Sequence, residues 1–175
     1  MKLKNNSLTT KRVALSGILI ALTVIVLFLA TTLPTSRLSL YALSSFFISI
    51  VIIEYGIKNG WFFYLASLIL TFIVIPNKIG LIPFVIFFGI YGLVKFYIER
   101  LNRIAVEYVL KVIFFNMSLV IGIFFVKEFF LESINIRIPL WAIIAVLEIV
   151  FVIYDYVYSL FIQYYKAKVR KIIGM

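Results

Sequence analysis

Six long apolar runs, separated by short stretches that hold most of the charges, constrain this fold more than any other feature of the sequence. A helix needs about 20 apolar residues to cross the hydrocarbon core of a bilayer, and each run is near that length. The stretch 24–29 (Val-Ile-Val-Leu-Phe-Leu) does not alternate apolar with polar residues, which argues against membrane β-strands. The sequence therefore predicts one all-α domain, residues 1–175, folded as an integral membrane bundle of six transmembrane helices at about 13–33, 38–56, 60–77, 79–98, 104–126 and 138–165.

The residue types that are missing limit what the chain can do chemically. It has no cysteine and no histidine, which removes the thiolate nucleophile, the commonest general base and the commonest metal ligands together. The phosphate-binding motif of P-loop ATPases is also absent. The seven acidic residues are scattered, and they do not form pairs at catalytic or metal-binding spacings. We therefore expect no catalysis, no cofactor and no metal site.

The basic residues are distributed unevenly between the two sides of the predicted membrane. Cytoplasmic loops of membrane proteins are enriched in lysine and arginine. With the N-terminus inside, thirteen of the 17 basic residues fall on the cytoplasmic side, and the other four are Arg37, Lys78, Lys127 and Arg137. We expect both termini to be cytoplasmic, in the cell membrane. Because the charge flanks the spans, the net charge of +10 indicates contact with lipid headgroups rather than with nucleic acid.

Two polar residues are predicted to lie near the middle of the bilayer. Glu148 is about ten residues into the last run, or roughly 14 Å from the outer boundary, and Asn116 lies at a similar depth in the fifth run. A charged group at that depth costs at least ~2.5 kcal/mol, so it normally faces protein or water. Two interpretations of Glu148 stay open: a carboxyl that binds a ligand, and a neutral carboxyl bonded to Asn116.

Charged residues nearer the cytoplasmic boundary indicate pairing between side chains. Asp155 is seven residues beyond Glu148, on nearly the same helix face, at the predicted depth of Lys111 in the fifth span. The sequence therefore predicts a structural ion pair between Asp155 and Lys111. Lys95 and Glu99 are four residues apart and can meet on one helical face, which we interpret as a solvated face or the rim of an interface.

Polar and aromatic residues predicted at the outer surface are candidates for binding a substrate. Arg37 lies between the first and second spans, Asn77 and Lys78 lie between the third and fourth, and Trp141 lies near the start of the last. An interfacial aromatic belt explains Trp141 equally well. Together with Glu148 from below, these residues predict a mostly apolar pocket in the outer half of the bundle, for a small, partly aromatic or amphipathic ligand.

Small residues mark one face of the first span. Gly17 and Ala21 are four residues apart, and Ala14 lies about one turn earlier. Such spacing lets another helix approach closely, because lipid supplies no hydrophobic force between helices and packing must hold them together. That helix can belong to the same chain or to a docking protein, and both interpretations stay open.

The opening of the first span, 10–22 (Thr-Lys-Arg-Val-Ala-Leu-Ser-Gly-Ile-Leu-Ile-Ala-Leu), together with the six-span layout, resembles the S components of energy-coupling factor (ECF) transporters. That family commonly carries an Ala-xxx-Ala pattern, whereas here Ala14 is followed by Ile18 and the spacing is met by Gly17 and Ala21. The resemblance implies a subunit that captures a vitamin or another micronutrient in an outward half-pocket, closed by the loop at 34–38. It also implies a transmembrane coupling subunit and two ABC-type ATPases as partners, docked through the small residues of the first span.

A structural scaffold is the alternative function. The six-helix (MreD-like) subunit of the bacterial cell-shape machinery has similar size and apolarity, and a scaffold needs no ligand pocket. Convergent polar groups around an outward cavity would favour substrate capture, whereas a dry and packed core would favour the scaffold. A small membrane enzyme acting on lipids is disfavoured, because histidine is missing and the acidic residues do not cluster.

Overall fold

The computed structural model describes residues 2–33, 35–130 and 140–169, and within them the side chains of 12–33, 35–125 and 142–168. The described residues are almost entirely helical and include no strand. The helices are α1 (Lys2–Thr32), α2 (Arg37–Tyr55), α3 (Ile57–Val74), a 3₁₀ turn (Ile79–Leu81), a first π segment (Phe84–Phe88), α4 (Gly89–Glu99), α5 (Ile104–Phe130), α6 (Leu140–Tyr164) and a second π segment (Tyr165–Val169).

Six helical segments in the described part of the chain are long and apolar enough to cross a membrane, which confirms the predicted all-α fold with six spans. Many of their large apolar side chains are exposed, including Phe62, Ile73 and Val120. In water such surfaces would promote aggregation, whereas in a bilayer they contact lipid. The chain is therefore a multi-pass membrane protein, and the orientation of its termini stays a prediction. The segments are Arg12–Thr32, Arg37–Tyr55, Ile57–Val74, Ile79–Glu99, Ile104–Phe125 and Ala142–Lys168.

The chain divides into two compact units, residues 1–94 and 95–175. That the chain forms a single domain stays a prediction. In residues 1–94, α1, α2 and α3 pack against one another around buried apolar side chains such as Leu27, Ile48 and Phe63. Small hydroxyl residues, among them Ser44, are buried in the same core. Small side chains at helix contacts permit the close approach by which helices associate in lipid.

The fourth span is interrupted by the 3₁₀ turn and the first π segment before α4 begins. Pro83 immediately precedes the π segment, and a proline cannot donate a backbone hydrogen bond. The hydroxyl of Tyr64 donates to the Val85 carbonyl at 2.8 Å, and the hydroxyl of Tyr41 donates to the Gly80 carbonyl. These bonds satisfy carbonyls in an irregular part of a span, where an unpaired polar group would be costly.

Residues 95–175 contain the last two spans and the link that precedes them. The link between α4 and α5 turns at Asn102, whose φ of 51° lies in the left-handed region that asparagine tolerates. The buried rings of Phe115 on α5 and Phe151 on α6 stack with their centroids 4.4 Å apart. Most other side chains of α5 and α6 that the structure describes are at least partly exposed. The contacts that join the two helices therefore include prominent polar ones, from Lys111 to Asp155 and from Asn116 to Glu148.

Candidate functional site

Four charged side chains of residues 95–175 form a closed cluster, here called the charge quartet: Lys95 and Glu99 on α4, Lys111 on α5 and Asp155 on α6. The Lys95 Nζ lies 2.8 Å from Glu99 Oε1 and also contacts Asp155 Oδ1. The Lys111 Nζ lies 3.0 Å from the same Glu99 oxygen and 3.1 Å from Asp155 Oδ2. Each ammonium therefore bridges both carboxylates, and the cluster ties three helices together.

Burial makes the charge quartet unusual. Lys95, Lys111 and Asp155 are 1%, 6% and 7% exposed, whereas the Glu99 side chain is 40% exposed. Two positive and two negative charges balance, which is the condition under which buried charges are tolerated. Ser159 adds a further partner, because its hydroxyl accepts from the Lys95 Nζ at 2.8 Å. The predicted ion pair of Lys111 with Asp155 is confirmed, and the interpretation of Lys95 as part of a solvated face is wrong.

The ion pairs of the charge quartet link helices and leave its ammonium groups fully engaged. Its ammonium groups are held by carboxylates and by the Ser159 hydroxyl, so they are not free to act as nucleophiles. The described residues contain no group of three or more acidic side chains that could hold a metal ion. The helix spacing explains the geometry, since Lys95 and Glu99 are four residues apart and project from one face of α4.

The two polar residues predicted near the middle of the bilayer contact each other. The Asn116 Nδ2 donates to Glu148 Oε1 at 2.8 Å and to the Val112 carbonyl at 3.0 Å. Asn116 is thus the cross-helix partner of Glu148 that the sequence suggested. Within the part of the chain that the structure describes, no partner is seen for Glu148 Oε2 or for Asn116 Oδ1. Both side chains are only half-buried.

In residues 1–94, two of the polar side chains predicted at the outer surface, Asn77 and Lys78, hydrogen-bond to backbone groups near helix ends. The Asn77 Oδ1 accepts from the Gly80 backbone N–H at 3.0 Å. The Lys78 Nζ donates to the Ile75 carbonyl at 2.7 Å and also to the Phe72 carbonyl, at the C-terminus of α3. An ammonium is well placed there, because the C-terminal carbonyls of a helix carry partial negative charge.

The predicted substrate-binding set is divided between the two compact units. Arg37 begins α2 and is exposed, and Asn77 and Lys78 lie in the same unit. Glu148 belongs to residues 95–175, and the side chain of Trp141 lies outside the described residues. A pocket formed by all five residues stays a prediction. Closure of the pocket by the loop at 34–38 also stays a prediction, because residue 34 lies outside the described part of the chain.

The small residues of the first span lie on an open surface of α1. Ala14, Gly17 and Ala21 are exposed, and a Cβ built on Gly17 would meet no described heavy atom within 4 Å. Gly60 is different, because a Cβ there would lie 2.6 Å from the Ile52 Cγ1. Gly17 therefore leaves room for another helix, whereas Gly60 is already in contact with one.

No family model, no curated protein and no solved structure matches the chain.

The sequence did not reveal that Lys95 is buried or that it reaches Asp155. A signal was present, since Lys95 is flanked by Leu93, Val94 and Phe96 within an apolar run. A lysine inside such a run normally needs a buried carboxylate partner.

Proposed function

We propose that this chain is the membrane-embedded substrate-capture subunit of an ECF-type uptake transporter, with no catalysis of its own. It lies in the cell membrane with both termini cytoplasmic and binds a vitamin or another micronutrient. It docks on a transmembrane coupling subunit that carries two ABC-type ATPases. Support comes from the six-span layout and from the resemblance of residues 10–22 to the S components of that family.

The observation that carries this proposal is the open surface at Ala14, Gly17 and Ala21. Had these residues packed against the chain's own helices, their spacing would have needed no partner protein. They are instead exposed, and Gly17 has room for a side chain. Close approach of a second transmembrane helix is the use that small residues at this spacing most often serve. A coupling subunit supplies such a helix.

The docking proposal is tested by purifying the tagged protein in mild detergent from its native membranes and measuring ATPase activity in the eluate. The wild type should carry ATPase activity, although its own sequence has no ATPase motif. Gly17→Leu should lower the copurified activity about tenfold, which corresponds to ~1.4 kcal/mol of docking free energy. Gly122→Leu is the matched control, because a Cβ on Gly122 also meets no described atom within 4 Å.

Two results would contradict the docking proposal. One is the absence of ATPase activity from every wild-type preparation. The other is an equal loss of activity in the Gly17 and Gly122 variants. Circular dichroism of each isolated variant separates loss of docking from loss of folding, and a Gly17→Leu protein that fails to fold alone would assign the residue to internal packing.

We propose that the substrate binds in the outer half of the protein, at Arg37, Asn77, Lys78, Trp141 and Glu148. Glu148 is the residue with the clearest role, because one of its carboxyl oxygens has no partner among the described residues and can accept a hydrogen bond from the ligand. Glu148→Gln should then weaken binding of the copurified small molecule. Unchanged binding would indicate that the Glu148 carboxyl hydrogen-bonds to Asn116 and does not contact the ligand.

A scaffold function is the second candidate, and a specific observation favours it. Asn77 and Lys78 hydrogen-bond to backbone groups near their own helix ends, and Glu148 bonds to Asn116, so these side chains are partly used within the chain. Native mass spectrometry distinguishes the two functions. A capture subunit should retain a stoichiometric small molecule when purified from its native membranes, whereas a scaffold should not.

The proposed orientation follows from the distribution of basic residues. Cytoplasmic retention of lysine and arginine favours the topology in which thirteen of the 17 lie inside. Protease-accessible tags on the two termini should be cleaved only in inside-out vesicles. Cleavage of either tag in right-side-out vesicles would contradict the predicted orientation and, with it, the proposed pocket in the outer half of the protein.

A further inference from the structure

Ser67 on α3 has a buried hydroxyl that makes no hydrogen bond. Its side chain is 0% exposed, and Oγ has no partner in the part of the chain that the structure describes. Two other buried hydroxyls of residues 1–94 bond within their own helices, since Thr23 Oγ1 donates to the Leu19 carbonyl at 2.8 Å and Ser44 Oγ donates to the Tyr41 carbonyl at 2.7 Å. A buried hydroxyl without a partner is costly, so the Ser67 O–H needs an acceptor.

The side-chain oxygens of Thr23 and Ser44 are acceptors with lone pairs to spare. A hydroxyl oxygen can accept two hydrogen bonds while it donates one. Among the residues that the structure describes, no group donates to either oxygen. Both side chains are 0% exposed. The core of residues 1–94 therefore contains a spare donor on α3 and spare acceptors on α1 and α2.

Contacts at one end of α1, α2 and α3 set the three helices in register. The guanidinium carbon of Arg12 lies 5.7 Å from the centre of the Tyr55 ring, which puts the start of the first span beside the end of the second. Gly56 alone separates α2 from α3. A Cβ on Gly60 would lie 2.6 Å from the Ile52 Cγ1, so the end of α2 also lies beside the start of α3.

This register places the three hydroxyls at one depth. Counted from positions 12, 55 and 57, Thr23, Ser44 and Ser67 lie 11, 11 and 10 residues along their helices. At 1.5 Å per residue, each is roughly 15–17 Å from that end, near the middle of a hydrocarbon core of about 30 Å. The three helices contact one another pairwise, so their buried faces meet in a common interior.

We infer that α1, α2 and α3 bind a single water molecule at this level, inside residues 1–94. The water accepts from the Ser67 O–H, and it donates to Thr23 Oγ1 and to Ser44 Oγ. Buried waters typically make about three such bonds, to polar groups that would otherwise be unpaired. The water links three helices through side chains that make no direct hydrogen bond to one another.

Other occupants fit these groups less well. A monovalent cation would bind the hydroxyl oxygens but would leave the Ser67 O–H without an acceptor. Its charge would also be unbalanced, because Glu54 is the one acidic residue in the sequence of 1–94 and lies beside the end of its span. A larger ligand needs more room than three side chains that are 0% exposed can offer. This inference does not depend on the proposed transport function.

Solid-state NMR of the full chain in bilayers tests the site, by measuring the transfer of magnetisation from water to each backbone amide. Transfer to the Ser67 amide should exceed transfer to the Ser49 amide at least about threefold. Ser49 is the matched control, because it is 3% exposed and its hydroxyl donates to the Phe46 carbonyl at 2.7 Å. Ser49 also lies nearer the end of its span, so water entering from the surface would reach it first.

Variants on the other two helices test the bridge. Thr23→Val on α1, which keeps the side-chain shape and removes the acceptor, should lower transfer at Ser67 at least about threefold, and Ser44→Ala on α2 should do the same. Ser49→Ala should leave that transfer unchanged.

Three results would overturn the inference. Equal transfer at Ser67 and Ser49 would show that the Ser67 hydroxyl bonds within its own helix. Transfer at Ser67 that neither Thr23→Val nor Ser44→Ala lowers would confine the contact to α3. Transfer that changes when choline replaces sodium in the buffer would assign the site to a cation.

Discussion

The two units of the molecule place the hydrogen bonds of their buried polar side chains differently. In residues 1–94, Thr23, Ser44 and Ser49 donate to carbonyls of their own helices, three or four residues earlier in the chain. In residues 95–175, the buried Ser118 hydroxyl also donates within its own helix, but Lys111 and Asn116 donate to side chains on other helices. Two tyrosines of residues 1–94, Tyr41 on α2 and Tyr64 on α3, donate across elements, and both bond to the interrupted fourth span.

This difference shows two ways of holding helices together in lipid. A hydroxyl that bonds within its own helix does so whether or not a neighbouring helix is present, so the bond adds little to association. Small hydroxyl residues then serve mainly to let helices approach closely. A bond between side chains of two helices forms only when the helices meet, and at a buried ion pair its loss leaves an unpaired charge. Substitutions should therefore affect the two units unequally.

The largest effect is expected at the charge quartet. Asp155→Leu leaves two buried ammonium groups with one carboxylate, so it should lower the stability of the folded protein by about 3–5 kcal/mol. Unfolding in mixed detergent micelles, followed by circular dichroism, measures the loss. A loss below about 1 kcal/mol would place the quartet among exposed ion pairs and remove the difference between the two units.

A smaller effect is expected where the interrupted fourth span meets α3. A Cβ on Gly89 would lie 2.6 Å from the Tyr64 Cε2 and 2.8 Å from the Phe84 carbonyl oxygen, which belongs to the backbone. Gly89→Ala should therefore cost about 1–3 kcal/mol in the same unfolding measurement. Gly122→Ala, whose added Cβ meets no described atom within 4 Å, is the control and should be neutral or stabilising by up to about 1 kcal/mol. Equal changes in the two variants would contradict the packing at Gly89.

The smallest effect is expected for a hydroxyl that bonds within its own helix. Ser49 Oγ donates to the Phe46 carbonyl at 2.7 Å, so Ser49→Ala exchanges a local bond for a residue with higher helix propensity. Stability should change by less than about 0.5 kcal/mol. A loss of stability above about 1.5 kcal/mol would show that Ser49 bonds to a neighbouring helix instead.

The spans could be predicted from the sequence because the bilayer excludes charge from its core. Arg12, Arg37 and Lys58 lie at or beside the ends of spans, and the membrane-spanning segments begin close to where the apolar runs do. The break in the fourth span was harder to predict. Pro83 and Gly80 are visible in the sequence, but the π segment and its tyrosine donors depend on contacts with α2 and α3.

The polar contacts were only partly predictable, because depth can be counted along a helix whereas direction cannot. Equal depth brought Lys111 to Asp155 and Asn116 to Glu148, and both contacts are confirmed. Direction around the helix axis must come from periodicity, which fades when apolar residues surround the helix. For this reason the spacing of Lys95 from Glu99 was equally compatible with solvent and with the buried Asp155.

A double-mutant cycle at the charge quartet tests most directly whether cross-helix polar contacts hold residues 95–175 together. The four proteins are the wild type, Lys95→Met, Asp155→Leu and the double variant, which keeps the contact of Lys111 with Glu99 at 3.0 Å. The account predicts that the double variant is more stable than Asp155→Leu alone, with a coupling energy of at least about 1 kcal/mol. Additive losses, within about 0.5 kcal/mol, would contradict it.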